Sequence, residues 1–356
     1  MNGIMGVLAE MRNRLGSVVG GALLLGLLLA VFPVSAQDLH HSQFWMNPLA
    51  SNPASAGFFN GDVRGGTYYR NQWLSVTVPY QTFGLWADAP VVKRMVQQDI
   101  VGAGLFIDMD RAGDSKYSTM QANGCVSYSK ALNRRNNHFM TVGLSLGFSQ
   151  KRFQPSELMH GDQYVDGKYD PDAPTLENYP YTAFSYADVG GGVQWFYQNR
   201  AGVIFQAGLS ALHLNRPPQS MLKDEKVRLP EKYTGLFHVQ LPLGGESCYL
   251  QPSLYMCRQD VYSEIMAGLL GSYAFRYDRV KGVTSLLGGV DYRLGDALYL
   301  VVGGEWRHFQ LLVSYDFNVS SLSKASNGRG GVELNLQYVY KKPYVIRRHE
   351  IPCPIW

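Results

Sequence analysis

The 356-residue sequence has few charged side chains and only four cysteines. Charged residues make up 17% of the chain, and the net charge is +4. No block of lysine and arginine is interleaved with aromatic residues, so a nucleic-acid partner is not expected. Low charge combined with 38 glycines and 23 tyrosines is unusual for a cytoplasmic enzyme. It is typical of proteins whose strands face lipid on one side and a polar interior on the other.

Long apolar helices are also missing. The mean hydropathy of −0.14 argues against a helical membrane protein. One apolar run, residues 20–34, is shorter than the ~20 residues that a spanning helix needs. Arginines precede this run, and the cleavage pattern Val34-Ser35-Ala36 closes it. This order predicts a cleaved signal peptide over residues 1–36 and therefore export, with an N-terminal transmembrane anchor as the alternative.

The four cysteines form neither a CxxC pair nor a zinc-binding spacing. Cys248 and Cys257 are expected on one strand, where residues nine apart are too distant to form a bridge. Other pairings stay open, and no disulfide is predicted. The cysteines therefore indicate no metal site.

Motifs for catalysis are absent from the sequence as well. It contains no GxSxG, HExxH, phosphate-binding loop or dinucleotide fingerprint. Four aspartates lie between residues 161 and 172, but their spacing misses the EF-hand pattern, which favours a solvated or partner-facing loop over a calcium site. We therefore predict that the protein is not an enzyme, and we predict no catalytic, cofactor-binding or metal-binding residues.

Apolar and small polar residues alternate repeatedly after residue 60. In residues 140–149, for example, five large apolar side chains alternate with threonine, serine and glycine. Such segments are close to the ~9–11 residues with which a tilted strand crosses a bilayer. About fourteen of them are predicted, at 61–73, 79–89, 99–109, 116–130, 137–151, 186–198, 201–212, 232–242, 247–257, 262–276, 282–293, 297–306, 308–318 and 331–341.

The predicted fold is all-β, a transmembrane antiparallel β-barrel of about 14 strands over residues 61–341. Only a closed barrel pairs every backbone N–H and C=O group within hydrocarbon. The long connections follow odd-numbered strands and the tight turns follow even-numbered ones, as expected if long loops face outward and short turns face the periplasm. By this parity the basic tail, residues 342–356, lies in the periplasm.

Two local features interrupt or decorate the predicted strands. Pro252 lies within a predicted strand and costs one ladder hydrogen bond, so a bulge or a strand end is expected there. Aromatic residues cluster near predicted strand ends and are expected to form the girdles at the membrane interfaces. The girdle residues are Tyr68, Tyr69, Trp73, Trp195, Tyr197, Tyr338 and Tyr340.

The segment before the first strand, residues 37–60, is irregular yet apolar. Its Asn47-Pro48 and Asn52-Pro53 pairs exclude a regular helix or a central strand, because proline lacks an N–H and restricts the residue before it. The neighbouring Phe44, Trp45 and Leu49 are too apolar for a solvated tail. We predict that this segment lies in the lumen or at the periplasmic mouth of the barrel as a plug or seal, with a partner-docking strip as the alternative.

Several stretches, in the same order along the chain, resemble the PorP/SprF outer-membrane proteins of the type IX secretion system. They are residues 43–57 (QFWMNPLASNPASAG), 69–73 (YRNQW), 161–164 (GDQY), 212–220 (LHLNRPPQS), 228–230 (RLP), 315–324 (YDFNVSSLSK) and 353–354 (CP). The residues of these motifs that we single out as candidates for the family's function or for partner contacts are Asn47, Pro48, Asn52, Pro53, Gly57, Arg70, Gln72, Trp73, Asn215, Arg216, Pro217, Cys353 and Pro354.

The resemblance implies a non-enzymatic protein of the cell outer membrane that supports the export or surface display of specific cargo, including gliding adhesins. The implied partners are outer-membrane lipid, the periplasmic ring, peptidoglycan-associated subunits and the sorting domains of exported cargo. No cofactor is implied. A passive channel for small solutes and a surface adhesin barrel are the competing hypotheses.

Overall fold

The computed structural model describes residues 42–72, 78–93, 99–165, 168–170, 172–224, 226–243, 247–278, 282–320, 323–326 and 328–342. All of them belong to one of the two units of the chain, Leu39–Trp356. The predicted signal peptide, Trp73 and most of the predicted tail, including Cys353 and Pro354, lie outside the described residues.

Fourteen antiparallel strands close into one barrel, in which each strand pairs with its neighbours along the chain and the first strand pairs with the last. This confirms the predicted transmembrane barrel and its strand number. A small two-stranded hairpin lies in the connection between the fifth and sixth barrel strands. The barrel strands are β1 (Val63–Gln72), β2 (Tyr80–Lys93), β3 (Ile100–Ala112), β4 (Tyr117–Ala131), β5 (His138–Arg152), β8 (Ala183–Gln198), β9 (Ile204–Leu212), β10 (Lys232–Pro242), β11 (Cys248–Gln259), β12 (Tyr262–Asp278), β13 (Gly282–Arg293), β14 (Ala297–Arg307), β15 (Phe309–Asn318) and β16 (Arg329–Tyr340), and the hairpin is β6 (Tyr164–Val165) with β7 (Lys168–Tyr169).

Helical structure among the described residues is limited to single turns. There are two four-residue α-helices, α1 (Pro48–Ser51) and α2 (Ser323–Ser326). The 3-10 turns are Phe44–Met46, Pro53–Ser55, Pro155–Glu157 and Gly161–Gln163. Within the described ranges no helix is long and apolar enough to cross a membrane.

The strands expose their apolar side chains and bury their small polar ones. In β5, the Leu144 side chain is 62% exposed, whereas its neighbour Ser145 is 6% exposed and faces the interior. This is the reverse of a water-soluble sandwich, whose apolar faces point inward. It matches a barrel with lipid outside and a polar lumen inside.

The two ends of the barrel differ in the length of their connections. One end, which we call the long-loop end, carries the connections 153–182, 213–231 and 319–328. The other, the short-turn end, carries tight turns such as 199–203, and both the start of β1 and the end of β16 lie there. This asymmetry is the one predicted from the parity of the connections.

The expectation for Pro252 is wrong. β11 runs past it without a register shift, and Pro252 pairs opposite Leu269 of β12. The missing N–H affects the edge of β11 that pairs with β10. Pairing there is interrupted between the His238 and Leu241 pairs and then resumes in the same register. A bulge does occur at another proline, between Pro90 and Val92 in the pairing of β2 with β3.

The aromatic girdle prediction is wrong for Tyr68. Its side chain is 2% exposed, and its hydroxyl donates a hydrogen bond to Asp108 at 2.5 Å, so it belongs to the lumen. The next residue, Tyr69, is 41% exposed and faces outward. The prediction assigned this residue to the wrong face of the strand, because adjacent strand residues point to opposite sides.

The exposed face of the strands predicts how the barrel tolerates charge. We expect Leu144→Arg, near the middle of β5, to lower the free energy of unfolding by about 2–4 kcal/mol, since it places a cation against hydrocarbon. The measurement is urea unfolding in phospholipid vesicles. The matched control is Leu176→Arg in the long loop, where the leucine is 93% exposed. Equal effects at the two positions would contradict a lipid-facing β5.

Candidate functional site: the lumen segment

Residues 42–57, which we call the lumen segment, form two single helical turns that begin at the Asn-Pro pairs. The Asn47 side chain accepts a hydrogen bond from the Ala50 N–H at 3.3 Å, and Pro48 is the first helical residue. The Asn52 side chain accepts one from the Ala54 N–H at 2.9 Å, and Pro53 starts the next turn. Asparagine at the cap and proline at the first helical position are favoured helix starts, because the first N–H groups have no partner within the helix.

The segment lies inside the barrel. Its hydrogen bonds and ring contacts reach strands on all sides of the closed sheet, namely β2, β4, β8, β9, β10, β11, β15 and β16. The Asn52 amide, for example, donates to the Val193 carbonyl of β8 at 3.0 Å. A short segment that contacts so many strands of one closed barrel must occupy its lumen.

A first charge cluster holds the start of the segment. The Glu333 carboxylate accepts hydrogen bonds from the backbone N–H groups of Ser42 at 2.9 Å and Gln43 at 3.1 Å. The Ser42 hydroxyl donates to Asp316 at 3.2 Å. Arg70 of β1 lies 3.2 Å from Asp316 and 3.5 Å from Glu333. Two buried carboxylates that hold the chain thus share one arginine.

A second charge cluster holds the end of the segment. The Arg64 guanidinium donates two hydrogen bonds to Asp88, at 3.0 and 2.9 Å. The same carboxylate accepts from the Gly57 N–H at 2.8 Å. Arg64 also stacks over the Phe59 ring at 4.6 Å and over the Trp86 ring at 5.2 Å. The bidentate pair and the two rings fix the arginine, and the arginine orients the carboxylate toward Gly57.

Buried charges of this kind favour one arrangement of the chain. An isolated charge in a low-dielectric interior is strongly unfavourable, and removing one member of a buried pair typically costs about 3–5 kcal/mol. The Arg64 and Asp88 side chains are 2% and 0% exposed. If the segment were displaced, Asp88 and Glu333 would lose the hydrogen bonds that it donates to them. The clusters therefore stabilise the segment in its position.

Two wall glycines allow the backbone of the segment to touch the backbone of the strands. A Cβ added to Gly102 of β3 would lie 2.0 Å from the Ala56 carbonyl oxygen. A Cβ added to Gly143 of β5 would lie 2.4 Å from the Ala54 nitrogen. Any side chain at these positions would push the segment away from the wall.

Apolar side chains pack around the segment within the lumen. The Phe44 ring stacks on Tyr255 of β11 with 4.8 Å between centroids, and the Trp45 ring meets Phe44 edge-on at 4.9 Å. Just beyond the segment, Phe58 packs between Phe139 and Phe196. A cavity of about 40 Å³ lies between the segment and strands β9 to β12, which is room for a few waters.

The other candidate residues lie away from the lumen, in the connection between β9 and β10 at the long-loop end. The Asn215 side chain accepts from the Val189 N–H at 3.2 Å and donates to the Ala187 carbonyl at 2.7 Å, so it covers the edge of β8 beyond the end of β9. Arg216 is exposed and lies 3.6 Å from Glu231. Sequence reasoning grouped these residues with the Asn-Pro pairs, but the structure separates them.

The three remaining candidates among the described residues lie in the lumen, at the long-loop end of β1 and in that connection. Arg70 faces the lumen in the first charge cluster, and Gln72, the last residue of β1, is half-buried at the long-loop end. The Pro217 carbonyl accepts from the Leu229 N–H at 2.9 Å and helps to fold the β9–β10 connection. Residue 217 is therefore placed for loop structure, not for contact with the lumen segment.

The loop with four aspartates between residues 161 and 172 is held by hydrogen bonds to one of them. Asp162 accepts hydrogen bonds from the Leu176 N–H at 2.6 Å and from the Thr175 hydroxyl at 3.0 Å. The Leu176 N–H in particular lowers the pKa of Asp162 below its usual range. Within the described parts of the chain, no three carboxylate, histidine or cysteine side chains come together as a metal site.

Sequence reasoning missed the residues that anchor the segment. These are Arg64, Asp88, Asp316 and Glu333, together with the contact glycine Gly102. A usable signal was present: each charged residue stands at an inward position of a strand whose inward face is otherwise mostly uncharged. Their contacts with the segment were not visible, because these join residues far apart in the sequence, such as Ser42 and Glu333.

The chain is similar to proteins of known family and fold. A family model described as type IX secretion system membrane protein PorP/SprF matches residues 34–338. The comparison with curated proteins found no match. Among solved structures, the TodX deltaS2S3 mutant monoaromatic hydrocarbon channel aligns with a TM-score of 0.50 at 10% identity, covering 83% of this chain and 94% of that one.

A second solved structure, a Pseudomonas aeruginosa FadL homologue, aligns with a TM-score of 0.46 at 9% identity, over 81% of this chain and 93% of that one. At such low identity the first structure indicates a shared barrel fold and nothing about substrate, and the second carries no further weight. The family match covers most of the sequence, and its description names a secretion membrane protein, not an enzyme. The chain therefore belongs to the PorP/SprF family of type IX secretion system membrane proteins.

Proposed function

We propose that this protein is a non-enzymatic outer-membrane component of the type IX secretion system whose lumen is closed by its own N-terminal segment. In this proposal the barrel is an anchor, and its two ends are docking surfaces. It supports the surface display of specific cargo, such as gliding adhesins, without conducting it. The observation that carries the proposal is the lumen segment, held by two buried charge clusters.

The filled lumen argues against the main alternative, a passive channel for small solutes. A barrel of fourteen strands is wide enough to conduct if its interior is open. Here the hydrogen bonds and ring contacts of the segment reach eight of the fourteen strands, and glycines of two more strands, β3 and β5, admit its backbone at close range. Conduction would require the segment to break these contacts and to leave its buried partners without the hydrogen bonds that it donates.

The short-turn end supports docking to an acidic partner. Its exposed cations include Arg134, Arg135 and Arg200 in the turns. Two acids at the same end, Asp62 and Asp99, are paired with lysines at 2.8 and 2.9 Å. Among the described residues the surplus charge at this end is therefore positive. We place this end in the periplasm, facing acidic surfaces of the ring or of the peptidoglycan-associated subunits.

The long-loop end supports contact with exported protein. Its connections expose apolar side chains that a solvated loop would not need: Met159, Leu176 and Leu222 are 71%, 93% and 76% exposed. A contiguous exposed apolar patch marks a protein-binding surface, and we infer that these side chains contribute to one. We place this end outside the cell and assign it to the sorting domains of cargo.

The closed lumen predicts how the protein behaves in a planar bilayer. We expect the full-length protein to show no stable pore. We expect Gly102→Ala to produce conductance, because its new Cβ would overlap the Ala56 carbonyl and displace the segment. The measurement is single-channel current after reconstitution.

Gly288→Ala in β13 is the matched control, since a Cβ there meets nothing within 4 Å. It should remain silent. A stable open pore in the unaltered protein would contradict the plug and favour the passive channel.

The basic short-turn end predicts a loss of partners on charge reversal. We expect the double variant Arg134→Glu, Arg135→Glu to lose co-purifying periplasmic subunits and to reduce surface display of cargo, because it reverses the charge of an exposed turn. The variant would be expressed in a strain from which the unaltered copy of the protein has been deleted. Partners would be identified after affinity purification from membranes, and display would be measured by surface labelling.

The control is Arg258→Glu, an exposed arginine at the long-loop end of β11. It changes the net charge without altering the short-turn end and should keep the same periplasmic subunits. Normal cargo display in a strain without any copy of the protein would overturn the secretion role.

A further inference from the structure

The outer wall of the barrel carries two adjacent rows of side chains with different chemistry at the long-loop end. The row nearer the barrel middle is apolar and runs across β1 to β4. It consists of Tyr69, Phe83, Met109 and Met120, which pair directly opposite one another. All four are between 41% and 46% exposed, as expected for side chains that face lipid.

The row one step closer to the loops is polar and basic. It runs across β2 to β5 and consists of Gln81, Arg111, Ser118 and Arg152, again in direct register. Two residues along a strand separate the rows by about 7 Å. A groove of about 420 Å³ is lined by both rows.

The two arginines of the groove have no carboxylate partner among the described residues. Arg152 donates a hydrogen bond to the Ser118 hydroxyl at 3.2 Å. Asp110, the acidic residue of the groove lining, is on the inward face of β3 and accepts from the Thr82 hydroxyl at 2.7 Å. The positive charge of the outward row is therefore not balanced by its surroundings in these ranges.

The spacing of the arginines suits one shared anion. Arg111 and Arg152 are separated by a single strand, β4, so their Cα atoms are about 10 Å apart. Both side chains are long and exposed, and a guanidinium binds phosphate oxygens through paired hydrogen bonds. Converging on one phosphate group requires no movement of the backbone.

We propose that this groove binds an anionic membrane lipid whose headgroup carries phosphate. Arg111 and Arg152 hold the phosphate, Gln81 and Ser118 contact neighbouring polar groups, and the acyl chains lie along the apolar row. The pairing of a cationic row with an apolar row at the membrane interface matches the two parts of such a lipid. The site is on the outer wall, so it does not depend on the lumen segment or on the proposed secretion role.

The test measures lipid binding to the full-length protein purified in a neutral detergent. Diphosphorylated lipid A is the probe, and native mass spectrometry counts the bound molecules. The double variant Arg111→Gln, Arg152→Gln should bind lipid A about tenfold more weakly or worse, because it removes both cations. Heat-modified migration on gels confirms that the variant barrel is folded.

Arg258→Gln is the matched control, because it is also an outward arginine near the long-loop end but faces Tyr233 and Ser263 across the strands and has no second arginine opposite. It should leave binding within about twofold of the unaltered protein, since neither groove cation is touched. Phosphatidylcholine, which carries no net charge, should not compete.

Two results would overturn the proposal. The first is equal lipid A binding by the double variant and the unaltered protein; if the double variant also loses a co-purifying protein, the groove belongs to a protein partner. The second is full competition by inorganic phosphate at millimolar concentration, which would indicate a free-anion site.

Discussion

The structure depends on one constraint: in hydrocarbon, every backbone N–H and C=O group needs a partner within the protein. The fourteen strands meet it by closing on themselves, with β1 paired to β16 along ten residue pairs. Closure gives each strand a lipid face and a lumen face, so side chains alternate between apolar and small polar types. It also creates an interior wide enough to leak unless something fills it. In this protein the lumen segment occupies that interior.

Filling a polar lumen with an irregular segment creates a second constraint, because that segment also has backbone groups to satisfy. Wall side chains do this, with Glu333 accepting from the first two residues and Asp88 accepting from Gly57. The carboxylates in turn need arginines, which Arg70 and Arg64 supply. The result is a set of buried carboxylates that lose the hydrogen-bond donors of the segment if it leaves. Such pairs contribute little net stability compared with apolar packing, but they disfavour alternative positions of the chain.

The fold was predictable from the sequence to an unusual degree, because a strand's period of two matches the alternation that lipid and lumen impose. The wrong details came from local rules applied without the partner strand: Pro252 disturbs only its pairing with β10, and Tyr68 points inward. The Asn-Pro pairs were expected to exclude a regular helix, yet each starts a single helical turn. The charge clusters could not be predicted, since Ser42 and Glu333 lie 291 residues apart and meet only through the register of the closed sheet.

Hydrogen–deuterium exchange on the full-length protein in native outer membranes tests the central claim most directly. The account predicts that amides of residues 44–57 exchange as slowly as those of the barrel strands, because the segment is buried, its turns are hydrogen-bonded and the Gly57 N–H donates to Asp88. The exposed loop around Leu176 provides the fast-exchanging reference in the same molecule. Fast exchange of residues 44–57, at the rate of that loop, would contradict a segment held in the lumen.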